Sequence, residues 1–289
     1  MAIAILGDAE KRFIIHGIQE DLRNDGRGCE DYRHIDLEVN LVSNTNGSSR
    51  LRIGNTELLV GVKLDLEMPL ANSPDQGLVD FNIDCSPNAT PQFQGRGGED
   101  LAATIKSLLT RAYNNNLVLD LKSLCIVPGK NCWSVHVDVL ILECGGNLLD
   151  AVSIAVFAAL FDTSIPKLGV TEGDEGEVEI NLPDDPLDSI PMNVTNCPVF
   201  VTLSKAGQRY IIDATAEEEA CCLASVILSI MKDGRCTALR KDGSGSLDPQ
   251  SISEMLDVGK RVGINLHKCI LKFLKNMPAV KFNDKTGFL

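Results

Sequence analysis

Residues Leu148 to Phe161 (LLDAVSIAVFAALF) are apolar nearly all the way round a helical wheel. A helix of that kind has no face to give to water, so it belongs at the centre of the molecule with other layers packed about it. Gly145-Gly146-Asn147 marks its start, with Asn147 as the expected N-cap. The longest apolar run, near Val152 to Phe161, is half of the ~20 residues that a membrane span needs, which makes it a core helix. A chain of 289 residues corresponds to about two domains. With 44% hydrophobic and 23% charged residues, its composition is that of an ordinary globular protein.

Strand signals precede this helix. Ile35, Leu37, Val39 and Leu41 alternate with polar residues, as do Leu58 to Leu66 and Val79 to Cys85. Asn44 to Ser49 supplies turn chemistry, and the three strands together predict an antiparallel sheet with one covered face. Ile14, Ile15, Ile18 and Leu22 predict a short N-terminal helix, and Leu101, Ile105, Leu108 and Ala112 predict one over Glu99 to Tyr113. Val135 to Ile141 returns to the strand period. This order is α+β rather than doubly wound.

Residues 171–189 hold eight carboxylates, Asp184, Asp185 and Asp188 among them, and no basic residue. They predict a domain connection or a long solvated hairpin. Beyond them, Val199 to Leu203 and Tyr210 to Ile212 predict paired strands. A helix is expected from Glu217 to Lys232, because acids open the segment, a lysine closes it and Gly234 follows. After a short strand near Cys236 to Arg240, Asp248-Pro249 predicts the start of a helix running to about Leu274. The second half thus repeats the first half's order of elements without repeating its sequence.

Lys plus Arg number 27 against 40 Asp plus Glu, for a net charge of −13. That sign excludes a whole-surface attraction to nucleic acid and leaves room for a local basic groove. The ten cysteines form no Cys-x-x-Cys pair and mostly sit among apolar residues, so they are expected as reduced thiols. No signal peptide is expected, and the Asn-x-Ser/Thr triplets at Asn46, Asn88 and Asn193 are read as chance matches.

No complete catalytic set is visible. The Gly145-Gly146-Asn147 turn before a helix is a potential anion cradle, but no cation stands beside it. Asp184 and Asp185 suit a hard cation without any defined ligand spacing, so neither a metal nor a cofactor is expected. His16, His34, His136 and His267 are scattered, with His34 and His136 on polar strand faces. Arg96 in a glycine-rich loop, with Lys106 and Arg111 on the following helix, is the candidate phosphate-contacting set. Lys106 and Arg111 lie about 140° apart around that helix.

Several short motifs, taken in order, give the chain a family likeness. They are Arg23-x-Asp25-Gly26-Arg27 with Arg33, Gly54-Asn55-Thr56 leading to Val60-Gly61-Val62, Gly95 to Asp100, and Val137-Asp138-Val139 leading to Gly145-Gly146. Met192-Asn193-Val194 and Asp213-Ala-Thr-Ala-Glu217 complete the set. On these, the chain resembles the RNase PH family of phosphorolytic 3′→5′ exoribonucleases, and within it the RNase PH-like ring subunits of the eukaryotic exosome. The resemblance implies an α+β, RNase PH-like fold: a ribosomal protein S5 domain 2-like β-α-β module plus a C-terminal RNase PH domain. It implies an N-terminal helical extension over 1–28, a first domain over 29–168, an acidic connection over 169–192, a second domain over 193–276 and a tail over 277–289.

Active members of the family follow the glycine pair with Thr-Arg or Ser-Arg, which hold the attacking phosphate. Here Asn147 and Leu148 stand there, and Pro191 stands where the family carries an aspartate before Met-Asn-Val; Asp185 falls at its other aspartate. A neutral aliphatic side chain cannot offset phosphate charge. The implied protein is a non-catalytic subunit of a hetero-hexameric ring, the alternative being an active phosphate-dependent exoribonuclease. The implied partners are other RNase PH-like subunits, S1/KH cap subunits, a hydrolytic nuclease and single-stranded RNA, with no membrane. RNA would meet Arg96, Lys106 and Arg111, in the nucleus, nucleolus and cytoplasm.

Overall fold

The computed structural model of the chain describes residues 6–94, 96–113, 115, 117–172, 178–181 and 188–277. Helix α1 (Asp8–Gln19) turns Ile14 and Ile18 inward, as the spacing predicts, but it ends before Leu22, which is exposed. The first sheet contains β1 (Ile35–Val39), β2 (Gly47–Ile53), β3 (Thr56–Glu67), β4 (Leu78–Cys85), β5 (Cys125–Val127) and β6 (Asn131–Glu143). Its order is β1-β2-β3-β6-β4, with β5 also paired to β6. The long antiparallel β3–β6 pair, with Val60 opposite Val139 and Val62 opposite Val137, forms its spine.

Two features of this sheet differ from the sequence expectation. Strand β2 was hidden because Gly47, Ser48 and Ser49 read as turn residues; all three are buried strand residues. They are small because the central helix presses on them: a Cβ on Gly47 would lie 2.4 Å from Thr163 Oγ1 and 2.6 Å from the Ala159 carbonyl. Strand β4 runs parallel to β6, not antiparallel. Helix α2 (Gly97–Tyr113) lies between them in the chain and packs against β4, forming the crossover that a parallel pair requires. Alternation alone does not reveal strand direction.

Helix α3 (Leu148–Asp162) is the predicted central helix. After it come β7 (Ser164–Pro166), the hairpin β8 (Gly169–Glu172) with β9 (Val178–Asn181), and β10 (Ser189–Pro191), which pairs with β7. The hairpin matches one of the two forms expected for the acidic stretch; Asp184 and Asp185 lie outside the described residues. The second sheet has the order β12-β11-β13-β14, from β11 (Val199–Ala206), β12 (Arg209–Ile212), β13 (Ala224–Ile230) and β14 (Cys236–Asp242). Helix α5 (Pro249–Asn276) covers its far face, capped by Asp248, whose side chain accepts the Ser251 N–H at 3.1 Å. Helix α3 packs on β2 and β3 on one side and β11 on the other, which is why it has no polar face.

The expected helix over Glu217–Lys232 is replaced by the short α4 (Ala216–Cys221) followed by β13. The acids at its start are a true helix beginning: Thr215 caps α4, and the Glu218 side chain accepts the Thr215 N–H at 2.8 Å. All seven residues of β13 are buried, so the strand shows no alternation to distinguish it from a buried helix. Gly234, read as a helix terminator, closes the β13–β14 turn at φ +84. Gly47→Ala is predicted to lower stability by about 1–3 kcal/mol in urea denaturation through overpacking against α3; an unchanged midpoint would contradict that contact.

Candidate functional site at the domain junction

The glycine turn before α3 meets the N-terminal loop and the β12–α4 connection. Its glycines are required: a Cβ on Gly145 would lie 2.6 Å from Asn55 Cβ, and Gly146 adopts φ +98, where a Cβ would lie 2.6 Å from the Ala214 carbonyl. Thr56 clips the turn in place, its hydroxyl donating to the Gly146 carbonyl at 2.6 Å and accepting the Gly145 N–H at 3.1 Å.

Asp213 gathers the surrounding cations. It is fully buried, with φ +48 at the end of β12. Its carboxylate accepts the Arg33 backbone N–H at 2.7 Å, Arg33 Nε at 2.9 Å and Arg33 Nη2 at 2.8 Å. Arg27 Nη1 adds a bond at 3.0 Å and Asn147 Nδ2 another at 2.8 Å. Burial alone would raise this carboxyl, yet the bidentate Arg33 and the Asn147 amide hold it below its usual value. Arg33 also donates to the Gly145 and Gly146 carbonyls, both at 3.0 Å. Arg23 is bound to Glu218 and to the carbonyls of Ile212 and Asp213 at 2.9 and 2.8 Å.

Asn147 is the first residue before α3, but its side chain does not cap the helix. It stands in the left-handed region at φ +52 and bridges two acids, Asp213 and Asp150, the latter at 3.1 Å. Its backbone N–H, the group that would receive an anion, donates to Glu219 Oε1 at 2.7 Å. The cradle is filled by the chain's own carboxylate. Burial raises the Glu219 carboxyl, and the Asn147 N–H and Arg33 only partly offset it.

Asp150 is fully buried and accepts from Tyr32 Oη at 3.0 Å, the Thr202 N–H at 3.1 Å, Thr202 Oγ1 at 2.7 Å and the Asn147 amide. Burial pushes its carboxyl up to about 7 despite these bonds. Leu148 faces a cavity of about 80 Å³ walled by Leu101, Leu108, Leu149 and Ile227. Small-molecule pockets usually span about 300–1,000 Å³, so a nucleotide does not fit there.

The other predicted residues do not converge on this place. Pro191 lies in β10 beside β7, which follows the C-terminal end of α3, and the Met192 N–H donates to Thr163. Asn147 and Leu148 stand at the other end of that 15-residue helix, roughly 22 Å away. Pro191 is therefore not part of the glycine turn. Arg96, Lys106 and Arg111 are strung along α2: Arg96 and Arg111 are exposed at its two ends, and Lys106 is paired with Asp80 at 2.8 Å. They make no single cluster. Among the described residues no group of three or more His, Cys, Asp or Glu could hold a metal. His267 is a core residue, edge-on to Phe157 with its Nε2 2.8 Å from the Cys197 carbonyl.

Asp150 and Glu219 escaped the sequence reading. Asp150 had a usable signal as a carboxylate inside an otherwise apolar buried helix, where a charge must be satisfied. Glu219 had none, because nothing in Glu217-Glu218-Glu219 tells which acid turns inward.

Comparison with known proteins agrees with this architecture. The model of the 3′ exoribonuclease family, domain 1, matches residues 31–166, and that of domain 2 matches residues 196–262. The chain is 32% identical to the exosome complex component Rrp42 of Thermococcus kodakarensis, over 93% of this chain and 96% of that protein. It is 30% identical to a Dictyostelium discoideum protein named for the exosome complex exonuclease RRP42, covering 94% of this chain and 98% of the other. A chain of the Archaeoglobus fulgidus exosome, solved with RNA bound to the active site, superposes with a TM-score of 0.78 at 28% identity, covering 91% of this chain and 98% of that one.

Two predictions follow from the buried charges. The Asp150 carboxyl keeps its proton in the folded chain up to about pH 7 but loses it near its ordinary 3.8 when unfolded, so its contribution to stability falls as pH rises between those values. Asp150→Asn can donate to Thr202 Oγ1 and still accept the other three bonds. Its stability relative to the parent is expected to improve from pH 5 to 7 by up to about 1.4 kcal/mol per unit in urea denaturation; a pH-independent difference would refute the assignment. Arg33→Ala is expected to cost about 3–5 kcal/mol by stranding Asp213, and a loss below about 1 kcal/mol would show that the knot is not structural.

Proposed function

Because the chain belongs to the RNase PH family of 3′ exoribonucleases, we propose that it is a non-catalytic subunit of an RNA exosome ring. Glu219 carries this reading. Its carboxylate accepts the Asn147 N–H at 2.7 Å, in the turn where active relatives are expected to hold phosphate. A phosphate entering there would have to displace a half-buried acid of the same sign and would find Leu148 in place of a cation. Arg33, the nearest guanidinium, is already committed to Asp213 and two carbonyls. Losing such a clamp costs catalysis about 10²–10³-fold per donor, and here the whole clamp is absent.

The surface supports an assembly role. Met68 and Leu223 are 75% and 71% exposed, with Leu70 and Leu239 also outward. Strands β12 and β14 are the open edges of the second sheet, and β1 and β4 the outer strands of the first. Apolar side chains beside unpaired edges suit contacts with other subunits. In this reading the neighbours are RNase PH-like chains, with S1/KH cap subunits and a hydrolytic nuclease on the faces of the ring, and RNA passing through. The proposed setting is nuclear, nucleolar and cytoplasmic.

The purified chain, incubated with 3′-tailed RNA and inorganic phosphate, is expected to release no nucleoside diphosphate. Adding an RNase PH-like partner mutated in its own site should change nothing. Release by the chain alone, abolished in Asp185→Ala, would establish the active exoribonuclease instead.

A further inference from the structure

The net charge of −13 conceals one region of opposite sign. From Lys260 to Met277, the last four to five turns of α5, there are five cations (Lys260, Arg261, Lys268, Lys272 and Lys275) and no carboxylate. At about 100° per residue, Arg261, Lys268, Lys272 and Lys275 fall within roughly 60° of one another, opposite the buried Met255, Leu266 and Ile270. All four are exposed, and the stripe runs about 21 Å along the helix. Arg261 pairs with Glu30 at 2.5 Å. Among the described residues, Lys268, Lys272 and Lys275 have no carboxylate partner.

Helix stability does not explain this arrangement. Lys268 and Lys272 are four apart and Lys272 and Lys275 three apart, so each pair repels and costs a few tenths of a kcal/mol. The helix dipole favours cations only within the last turn, which accounts for Lys275 but not for Lys268 or Arg261. A surface meant only to be soluble would intersperse acids, of which this chain has a surplus. A line of point charges along one ridge instead matches a polymer that repeats its negative charge.

We propose that the exposed ridge of α5 formed by Lys268, Lys272 and Lys275 binds the phosphate backbone of single-stranded RNA. The proposal rests on the preceding reading in taking RNA as the polyanion that reaches this protein. Contact is to phosphates, without base readout, because the ridge presents ammonium groups and, among the described residues of α5, no aromatic side chain shares its stripe. It differs from the α2 set in that its three lysines share one face and none is spent on a neighbouring acid.

The test is fluorescence anisotropy of the full chain with labelled oligouridylate across a salt series, comparing the parent with K268E/K272E/K275E and with the neutral K268Q/K272Q/K275Q. Both variants change only exposed side chains, and melting curves matching the parent verify that they fold. The glutamate variant should bind about tenfold or more weakly. The glutamine variant should flatten the dependence of log K on log salt by about 2, from three phosphate contacts at ~0.7 each. Parent affinity and slope in both folded variants would overturn the proposal. So would competition by polyglutamate as effective as that by RNA, which would assign the ridge to an acidic protein. Capture of RNase PH-like subunits, measured on the same samples, separates the two readings: capture with unchanged RNA binding overturns only the ridge, whereas lysine-dependent RNA binding without capture supports the ridge and overturns the ring role.

Discussion

A single buried carboxylate holds the two halves of this molecule in register. Asp213 ends a strand of the second sheet, yet its partners come from elsewhere: Arg27 and Arg33 from the N-terminal loop and Asn147 from the start of the central helix. Such a charge is tolerable inside a protein only if every lone pair is matched. Arg33 passes the constraint on, because the guanidinium that neutralises Asp213 also binds the carbonyls of Gly145 and Gly146. The glycine turn, the entry of α3 and the docking of the second sheet are thereby fixed together.

The same knot determines what the turn can do. An anion site at a helix start needs free N–H groups, and an uncommitted cation beside them strengthens it. Here the N–H of Asn147 belongs to Glu219, and the nearest guanidinium belongs to Asp213. Asp150, one turn into the helix, adds a third acid that burial keeps close to neutrality at ordinary pH. The junction is thus self-neutralised, with three arginines (Arg23, Arg27 and Arg33) paired internally. What remains for a partner lies outside it, on apolar strand edges and on the basic ridge of α5.

Much of this architecture is legible in the residues. The all-round apolarity of Leu148 to Phe161 calls for a layer on each side, and both sheets supply one. Asp248-Pro249 starts a helix where expected. The failures share a cause: local pattern loses its meaning where tertiary packing covers both faces or forces small residues. Strand β13 shows no alternation because every one of its residues is buried, and β2 is rich in Gly and Ser because α3 lies against it. At the site, an aliphatic Leu148 where the family resemblance implies a cation was readable, but the contact of Glu219 was not, since its partner lies 72 positions away. Pro191 illustrates the converse, a position singled out by its motif that the fold places at the opposite end of α3.

The most direct examination of a self-filled anion site is a crystal structure of the full chain grown in molar inorganic phosphate. Glu219 should remain hydrogen-bonded to the Asn147 N–H, with no phosphate density between residues 145 and 148. A phosphate seated in that turn, with Glu219 swung away and Arg33 released from Asp213 to meet it, would contradict the account.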